Sequence, residues 1–298
     1  MRDLIVSSDD VDLYVKVDGE SRNPTVLLLH GFPDNHASWH HQVETLKQTF
    51  QVITFDMRGV GNSTPSAKQN AYHMDHMLAD IDAVLNATVG AEGRVHLVGH
   101  DWGSVIGWSF VSTPRYAHRV ISYTSMSGPH LRLMLDWARR NLISGNPKRI
   151  AQALQQGVFS WYVYLFNVPL LPELLFKQFG RSIWRALLKA NGVDGEDSYL
   201  NTTQLGVEKT CLNPIELYRQ NPLNPPPLPA KKSIIVPVQL IIPRADRFIS
   251  HQLFEFYDEY IKTLEQHVIE GKHWAHHSHH QCFNQYLMQF IDRIERSA

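Results

Sequence analysis

The sequence has 298 residues, only two cysteines and no excess of charge of either sign. Cys211 and Cys282 lie far apart and fit no disulfide framework or metal-ligand spacing, which favours a reducing compartment and predicts a cytoplasmic protein. The 28 basic residues nearly balance the 29 acidic ones. No surface for binding nucleic acid is therefore expected.

Long apolar runs are also missing. The most apolar segment, residues 158–176, is interrupted by two prolines, an asparagine and a glutamate, whereas a membrane-spanning helix needs about 20 nearly unbroken apolar residues. Residues 1–20 lack the basic start and apolar centre of a signal peptide. A dinucleotide-binding Gly-x-Gly-x-x-Gly motif is absent as well. Neither membrane insertion nor a nicotinamide cofactor is expected.

Short apolar runs alternate with helical patterns over the first part of the chain. Strands are predicted at Leu13–Val17, Thr25–Leu29, Gln51–Phe55, Arg94–Val98 and Val120–Ser125. Helices are predicted between them at Ala37–Thr49, Met74–Thr88 and Val105–Thr113. Such alternation is typical of the α/β class, in which a mostly parallel sheet carries helices on both faces.

The pattern changes over residues 129–229, where only helical runs and turn signals occur, and then returns to strands. Later strands are predicted at Ser233–Ile242 and Gln266–Ile269, with helices at His251–Thr263 and Gln281–Ile294. We therefore expect a core domain in two parts, residues 1–128 and 230–298, with residues 129–229 inserted as a helical cap. The cap should cover the carboxyl ends of the strands, where open α/β sheets bind ligands.

Residues 98–104 read Val-Gly-His-Asp-Trp-Gly-Ser and form the most informative segment. A strand pattern ends here in small residues and a helical pattern follows at once, which is the layout of a nucleophile elbow. The exposed position, usually serine, is Asp101. A carboxylate is a weak acyl acceptor, but it can displace a leaving group from a saturated carbon and form an ester that water cleaves. Asp101 is the predicted nucleophile.

Such a nucleophile needs a base that activates water, an acid that orients the base, and donors for an oxyanion. In hydrolases with this elbow, the acid and then the histidine follow the nucleophile along the chain. Asp246 and His273, each after a predicted strand, fit that order, with Asp136 as the alternative acid. The backbone N–H groups of Phe32 and Trp102 are the predicted oxyanion donors.

His273 opens a histidine-rich stretch that also contains His276, His277, His279 and His280. Such a cluster is a candidate metal site. However, no carboxylate or cysteine lies near it at metal-ligand spacing. The sequence therefore predicts neither a metal nor an organic cofactor.

Residues 30–33, His-Gly-Phe-Pro, and 56–63, Asp-Met-Arg-Gly-Val-Gly-Asn-Ser, accompany the elbow. Together they resemble motifs of the epoxide hydrolase and haloalkane dehalogenase branch of the α/β-hydrolase fold, over nearly the full length. Residues 58–61, 101–105 and 125–129 further resemble the hydrolase half of bacterial proteins that fuse an epoxide hydrolase to a short-chain dehydrogenase. The resemblance implies an α/β-hydrolase fold with an inserted all-helical cap, a cis proline in the first motif and a structural turn in the second.

The same resemblance implies that two cap tyrosines donate protons to an epoxide oxygen. Tyr162 and Tyr218 stand at the matching places, with Tyr164 as the rival of Tyr162. A phenol suits this task because it is protonated at neutral pH. The implied reaction opens a small hydrophobic epoxide to a vicinal diol. The residues expected to contact the substrate are Trp102, Trp161, Phe32 and Trp274.

Two alternatives stay open at this point. A haloalkane dehalogenase would use the same Asp101 and would hold halide with Trp102 and Trp161, although Phe32 offers no side-chain donor. A non-catalytic, ligand-binding descendant of the fold is the third possibility. The sequence leaves the oligomeric state open, with a homodimer as one option.

Overall fold

The computed structural model describes residues 1–297. Its strands are β1 (Arg2–Ser8), β2 (Val11–Asp18), β3 (Thr25–Leu29), β4 (Gln51–Phe55), β5 (Val95–His100), β6 (Val120–Met126), β7 (Val238–Pro243) and β8 (Leu264–Ile269). They form one sheet in the order β1-β2-β4-β3-β5-β6-β7-β8. β2 pairs antiparallel with β1 and β4, and all later neighbours pair parallel. The predicted mostly parallel sheet is confirmed.

Helices cover both faces of this sheet. The helices of the core are α1 (His40–Leu46), α2 (Met74–Thr88), α3 (Trp102–Ser112) and α4 (Pro114–Ala117). In β3, Leu27 and Leu29 pack with α2 and α3, whereas Val26 and Leu28 pack with α1 and the C-terminal helix on the other face. Burial on both faces explains why residues 26–29 of β3 are a continuous apolar run rather than an alternating one.

Six helices lie between β6 and β7 in the described part of the chain. They are α5 (Leu131–Leu142), α6 (Pro147–Phe159), α7 (Trp161–Phe166), α8 (Leu171–Ala190), α9 (Gln204–Cys211) and α10 (Ile215–Gln220). We propose that residues 129–229 form the cap. The core closes with α11 (Ala275–Ser278) and α12 (His280–Glu295). Within residues 1–297, no helix combines the length and apolar character needed to cross a bilayer.

The largest differences between the prediction and the structure concern two predicted elements and one additional strand. The predicted helix His251–Thr263 is wrong: two short 3-10 turns replace it, because Ile261 pairs with Ile234 as a β-bridge and Tyr257 is drawn into the core. The strand expected at Ser233–Ile242 is limited to β7. Strand β1 was not predicted, since it is an edge strand with only two buried residues, Val6 and Ser8.

Candidate active site

Asp101 occupies the sharp turn between β5 and α3. Its backbone has φ 52° and ψ −121°, a conformation that costs a non-glycine residue free energy and persists only where the surroundings impose it. The turn fits because its neighbours lack side chains. A Cβ atom on Gly103 would lie 2.1 Å from the Leu29 carbonyl oxygen, and one on Gly128 would lie 2.1 Å from the Asp101 carbonyl oxygen. The strained turn holds the Asp101 carboxylate above the carboxyl edge of the sheet.

The loop after β3 supplies a donor to this carboxylate. The backbone N–H of Phe32 donates to Asp101 Oδ1 at 2.7 Å. The peptide bond between Phe32 and Pro33 is cis, as the resemblance implied. The N–H of Trp102 belongs to the first residue of α3, and no hydrogen bond from it to the Asp101 side chain is found among residues 1–297. The Phe32 amide therefore contacts the carboxylate directly, whereas the Trp102 amide lies beside it along the chain.

His273 connects Asp101 to a second carboxylate. His273 Nε2 lies 3.4 Å from Asp101 Oδ2, and His273 Nδ1 lies 2.9 Å from Asp246 Oδ2. The other oxygen of Asp246 accepts hydrogen bonds from the N–H groups of Phe248 and Ile249, at 2.8 and 3.1 Å. These bonds orient the acid, and the acid in turn orients the imidazole. The structure brings the three predicted side chains together, with His273 between the two carboxylates.

The alternative acid, Asp136, lies elsewhere. Its carboxylate pairs with Arg140 at 2.7 Å and accepts a hydrogen bond from Tyr260 at 3.1 Å. Its partners lie on α5 and beside the 3-10 turn Tyr257–Glu259. Asp136 therefore belongs to a partly exposed ion pair, and only Asp246 orients the histidine.

Charge at the site favours a protonated histidine in the free protein. Burial would lower the pKa of His273, but the carboxylates of Asp246 and Asp101 outweigh burial and raise it to about 10. Burial would raise the pKa of Asp246, yet His273 and two backbone N–H groups hold it below its usual value. An imidazolium between two carboxylates is the resting arrangement that these shifts describe.

Two tyrosines of the proposed cap face Asp101. Tyr162 in α7 and Tyr218 in α10 line the same cavity as Asp101, and their rings meet edge to face with centroids 5.7 Å apart. Burial, with a smaller contribution from the Asp101 carboxylate, raises the pKa of both phenols well above the usual value. Both therefore carry their proton at neutral pH. Tyr164 is 70% exposed and lines only the second cavity described below.

Apolar cavities flank the Asp101 carboxylate on two sides. The first, of about 380 Å³, is lined mainly by aromatic and aliphatic side chains, among them Phe32, Trp161, Phe176, Trp184, Phe248 and Trp274. The second, of about 590 Å³, is lined by Trp102 and by residues of α5 and α6. Asp101, Tyr162 and Tyr218 line both cavities. A substrate at the carboxylate can therefore place apolar groups on either side.

The model of the family described as alpha/beta hydrolase fold matches residues 24–280. The chain belongs to this family. The match covers most of the sequence and agrees with the elbow, the parallel sheet and the inserted helices. The predicted α/β-hydrolase fold class is thereby confirmed.

This α/β hydrolase is similar over more than nine-tenths of its length to two curated relatives. It is 29% identical to the probable oxidoreductase EphD of Mycobacterium tuberculosis, over 98% of this chain and 50% of that protein. It is 26% identical to epoxide hydrolase 3 of Xenopus tropicalis, over 92% of this chain and 72% of that protein. The chain spans about half the length of EphD. The resemblance to epoxide hydrolases inferred from the motifs is confirmed.

A solved structure agrees in fold. An epoxide hydrolase from Bacillus megaterium, determined as a mutant with its diol product, superposes with a TM-score of 0.77 at 22% identity. The superposition covers 97% of this α/β hydrolase and 100% of that chain. At this level of identity the likeness shows the shared fold, and the chemistry is argued from the residues.

Some residues of the site carried no clear signal in the sequence. Phe248 packs on both His273 and Tyr162, with ring centroids 4.9 and 5.4 Å away. It stands two residues after Asp246, so proximity to a motif is the signal that could have found it. Trp184 reaches the first cavity from α8 and donates its indole N–H to the Pro33 carbonyl oxygen at 3.1 Å. Only the folded cap brings it there.

A buried hydrogen-bond network supports the segment that carries His273. Asp34 accepts hydrogen bonds from Tyr199 at 2.8 Å and from the Trp274 indole at 2.9 Å. His100 Nε2 lies 2.9 Å from the His273 carbonyl oxygen. Because the Trp274 N–H is engaged with Asp34, Trp274 presents only apolar surface to the first cavity. Asp34 follows the residue 30–33 motif directly, and its position there is the available sequence signal.

Proposed function

We propose that this α/β hydrolase opens epoxides to vicinal diols through an ester on Asp101. The observation that carries the proposal is the position of Asp101, with His273 at one oxygen and two protonated tyrosines across the cavity. Relatives named epoxide hydrolases support the substrate class. Because the chain spans half of EphD and is under 30% identical to the relatives, the activity is inferred from the site rather than transferred.

In the first step, the Tyr162 and Tyr218 hydroxyls donate to the epoxide oxygen while an Asp101 oxygen attacks a ring carbon from the opposite side. The ring C–O bond breaks, and the released alkoxide takes a proton from a tyrosine. The product is a hydroxyalkyl ester of Asp101. Two donors aimed at the oxygen where charge develops stabilise this transition state more than the bound epoxide.

Formation of the ester prepares the second step. The ester removes one of the two negative charges that keep His273 protonated, so its pKa falls. The proton that His273 loses restores the tyrosine hydroxyl. The neutral imidazole, held by Asp246, can then act as a general base. The Asp101 carboxylate raises the pKa of His273, so its conversion to an ester determines when His273 can act as a base.

In the second step, His273 takes a proton from water, and the hydroxide attacks the ester carbonyl. The Phe32 and Trp102 N–H groups stabilise the oxyanion, a contribution of about 3 kcal/mol for one donor. The bond between the Asp101 carbonyl carbon and the alkyl oxygen breaks. That oxygen takes the remaining proton of the water, and the diol leaves. The site returns to an Asp101 carboxylate beside a protonated His273. Overall, one water is added to one epoxide, and the residues complete the cycle without a metal or an organic cofactor.

The cavities define the proposed substrate class. Their apolar walls favour a small hydrophobic epoxide, and their placement on both sides of Asp101 accommodates substituents on either ring carbon. The substrate contacts that we propose are Phe32, Trp161 and Trp274 in the first cavity and Trp102 in the second. A cytoplasmic location and a homodimer stay predictions, which cell fractionation and light scattering can test.

Haloalkane dehalogenation is the alternative reaction for the same nucleophile. It needs two N–H donors that hold the departing halide away from water. Phe32 has no side-chain donor, and Trp161, the candidate partner of Trp102, is 59% exposed. These features favour the epoxide over the halide.

A trapping experiment separates the candidate functions. The variant His273→Gln should form the ester but fail to hydrolyse it, so the intact protein is weighed after incubation with styrene oxide or 1-bromobutane. An added mass equal to the whole epoxide, mapped to Asp101, supports the proposal. An added alkyl group without bromine supports dehalogenation, and no adduct with a broad panel of both reagents supports a non-catalytic binding protein. The double variant His273→Gln with Asp101→Ala is the control and should gain no mass.

A further inference from the structure

A cluster of three histidines and one carboxylate lies outside the cavities at Asp101. His40 and His41 begin α1, His277 lies in α11, and Asp197 belongs to the proposed cap, just before the 3-10 turn Ser198–Leu200. One ligand atom from each residue lies within 4.8 Å of every other. The cluster therefore joins the core to the cap at a place that the proposed reaction does not use.

The distances within this histidine–aspartate cluster are long for hydrogen bonds. Asp197 Oδ2 lies 3.3 Å from His41 Nε2 and 3.4 Å from His277 Nδ1, and Asp197 Oδ1 lies 3.4 Å from His40 Nε2. Good N–H···O hydrogen bonds are about 2.7–3.2 Å long. Ligands at about 2.0–2.1 Å from a tetrahedral zinc ion lie roughly 3.3–3.4 Å from one another. The separations of His41 and His277 from Asp197 Oδ2 match this edge length and exceed that of a good hydrogen bond, whereas His40 Nε2 lies at a similar distance from the other carboxylate oxygen.

The hydrogen bond that orients His40 also agrees with a bound cation. Its Nδ1 atom lies 3.2 Å from the Ala37 carbonyl oxygen, which can only accept, so the ring proton belongs on Nδ1. In a neutral imidazole this leaves a lone pair on Nε2, directed at the Asp197 carboxylate. That contact is repulsive unless Nε2 also carries a proton or a cation lies between the two atoms. A metal-bound histidine typically donates its other N–H to a carbonyl in this manner.

Burial and charge around the cluster suit a cation. The side chains of Asp197 and His277 are 6% and 0% exposed, whereas those of His40 and His41 are about a third exposed at the mouth. Two further carboxylates, Asp194 and Glu196, line the same cavity of about 610 Å³. Among the described residues that line it there is no lysine or arginine. The cavity is thus open to an ion and carries negative charge.

We propose that His40, His41, His277 and Asp197 bind one Zn²⁺ ion. Three imidazole nitrogens and one carboxylate oxygen are ligands that zinc prefers, and four protein ligands make a closed structural site without a reactive water. Asp197 is the ligand from the cap, so the ion ties the segment between α8 and α9 to α1 and α11. That segment carries Tyr199, which donates to Asp34 beside the Phe32 loop. The ion would stabilise the contact between the proposed cap and the core.

The sequence predicted no metal site because no carboxylate lay near the histidine-rich stretch. The fold brings a carboxylate to the histidines from far along the chain: Asp197 precedes His277 by 80 residues and follows His41 by 156. Metal-ligand spacing read along a chain does not detect ligands from three separate segments.

Metal binding to the purified protein tests the proposal. Protein without a histidine tag is stripped with a chelator and titrated with Co²⁺ and then Zn²⁺. We expect one equivalent of Co²⁺ to give the intense visible absorption of a four-coordinate site, and Zn²⁺ to displace it and raise the melting temperature. Asp197→Asn and His41→Ala should each weaken binding at least about 10–100-fold. Asparagine can still accept from the Tyr199 N–H as Asp197 Oδ1 does at 2.9 Å, so this variant should fold.

The exposed His118, which lies in no cluster, provides the control. His118→Ala should bind both metals as the unchanged protein does. Lack of saturable binding at one equivalent, or the weak absorption of six-coordinate Co²⁺, would overturn the proposal. So would undiminished binding by both Asp197→Asn and His41→Ala. None of these results bears on the trapping experiment at Asp101, because that reaction does not use the ion.

Discussion

His273 Nε2 lies 3.4 Å from Oδ2 of Asp101, the group whose ester it is proposed to hydrolyse. The contact couples the charge of the proposed nucleophile to the proton affinity of the proposed base. While Asp101 is a free carboxylate, His273 holds its proton, and when Asp101 is an ester, His273 can release it. A single contact therefore sets the order of the two proposed steps.

Removal of the Asp101 charge should lower the pKa of His273. In Asp101→Asn the imidazole keeps Asp246 but loses one of the two carboxylates that raise its pKa to about 10 in the unchanged protein. We expect a decrease of at least about one pKa unit, equivalent to 1.4 kcal/mol. Nuclear magnetic resonance titration of the imidazole nitrogens measures it. An unchanged value would mean that the two side chains do not interact in solution.

Loss of the cap hydroxyls should stop epoxide opening. One donor aimed at developing charge contributes about 10²–10³-fold to a rate, so Tyr162→Phe and Tyr218→Phe should each slow ester formation by about that factor. The double variant should be inactive. Tyr164→Phe, at the neighbouring exposed position, is the matched control and should stay near the unchanged rate. Near-normal diol formation by the double variant, followed by stopped-flow and product analysis, would refute the assigned donors.

Asp246 and Asp136 can be told apart by the step that each affects. Asp246→Asn should leave His273 in the wrong orientation and slow hydrolysis of the ester by about 10⁴-fold, as in other triads. The ester on Asp101 should then accumulate and be visible by mass spectrometry. Asp136→Asn removes only a partly exposed ion pair with Arg140 and should leave both steps unchanged. The reverse outcome would make Asp136 the acid.

Arg58, in the motif of residues 56–63, is expected to act on stability rather than chemistry. Its guanidinium is fully buried and makes two hydrogen bonds of 2.7 Å to Asp80. Arg58→Ala leaves the Asp80 carboxylate buried and unpaired, which should lower the free energy of unfolding by about 3–5 kcal/mol. Urea denaturation measures the loss, with the exposed Arg22→Ala as a control expected to change it by about 0.5 kcal/mol at most. A loss below about 1 kcal/mol for Arg58→Ala would contradict this assignment.

The sequence predicted the elements whose local pattern agrees with their burial. Strands β3 and β4 have the predicted bounds, and all five residues of each are buried, which agrees with their mainly apolar, β-branched and aliphatic pattern. The predicted helix His251–Thr263 failed because the chain there bends to bring Ile261 beside Ile234. A periodic apolar pattern does not distinguish a helix from two short turns that bury the same side chains.

Within the site, predictability depended on distance from a motif. Asp101, Asp246 and His273 each follow a strand in the chain order found in hydrolases with this elbow, so the sequence itself suggested them. Trp184 reaches the cavity only because α8 folds over the sheet, and Asp197 meets His277 across three segments. Such contacts depend on tertiary packing, which a single sequence does not encode locally.

The source of the oxygen added to the substrate tests the central claim most directly. One turnover of an epoxide with excess enzyme is run in ¹⁸O-labelled water, and the diol and the peptide that contains Asp101 are analysed by mass spectrometry. The account predicts an unlabelled diol, because its new oxygen comes from the Asp101 carboxylate, together with label in Asp101. A diol labelled in that first turnover, with no label in Asp101, would contradict it.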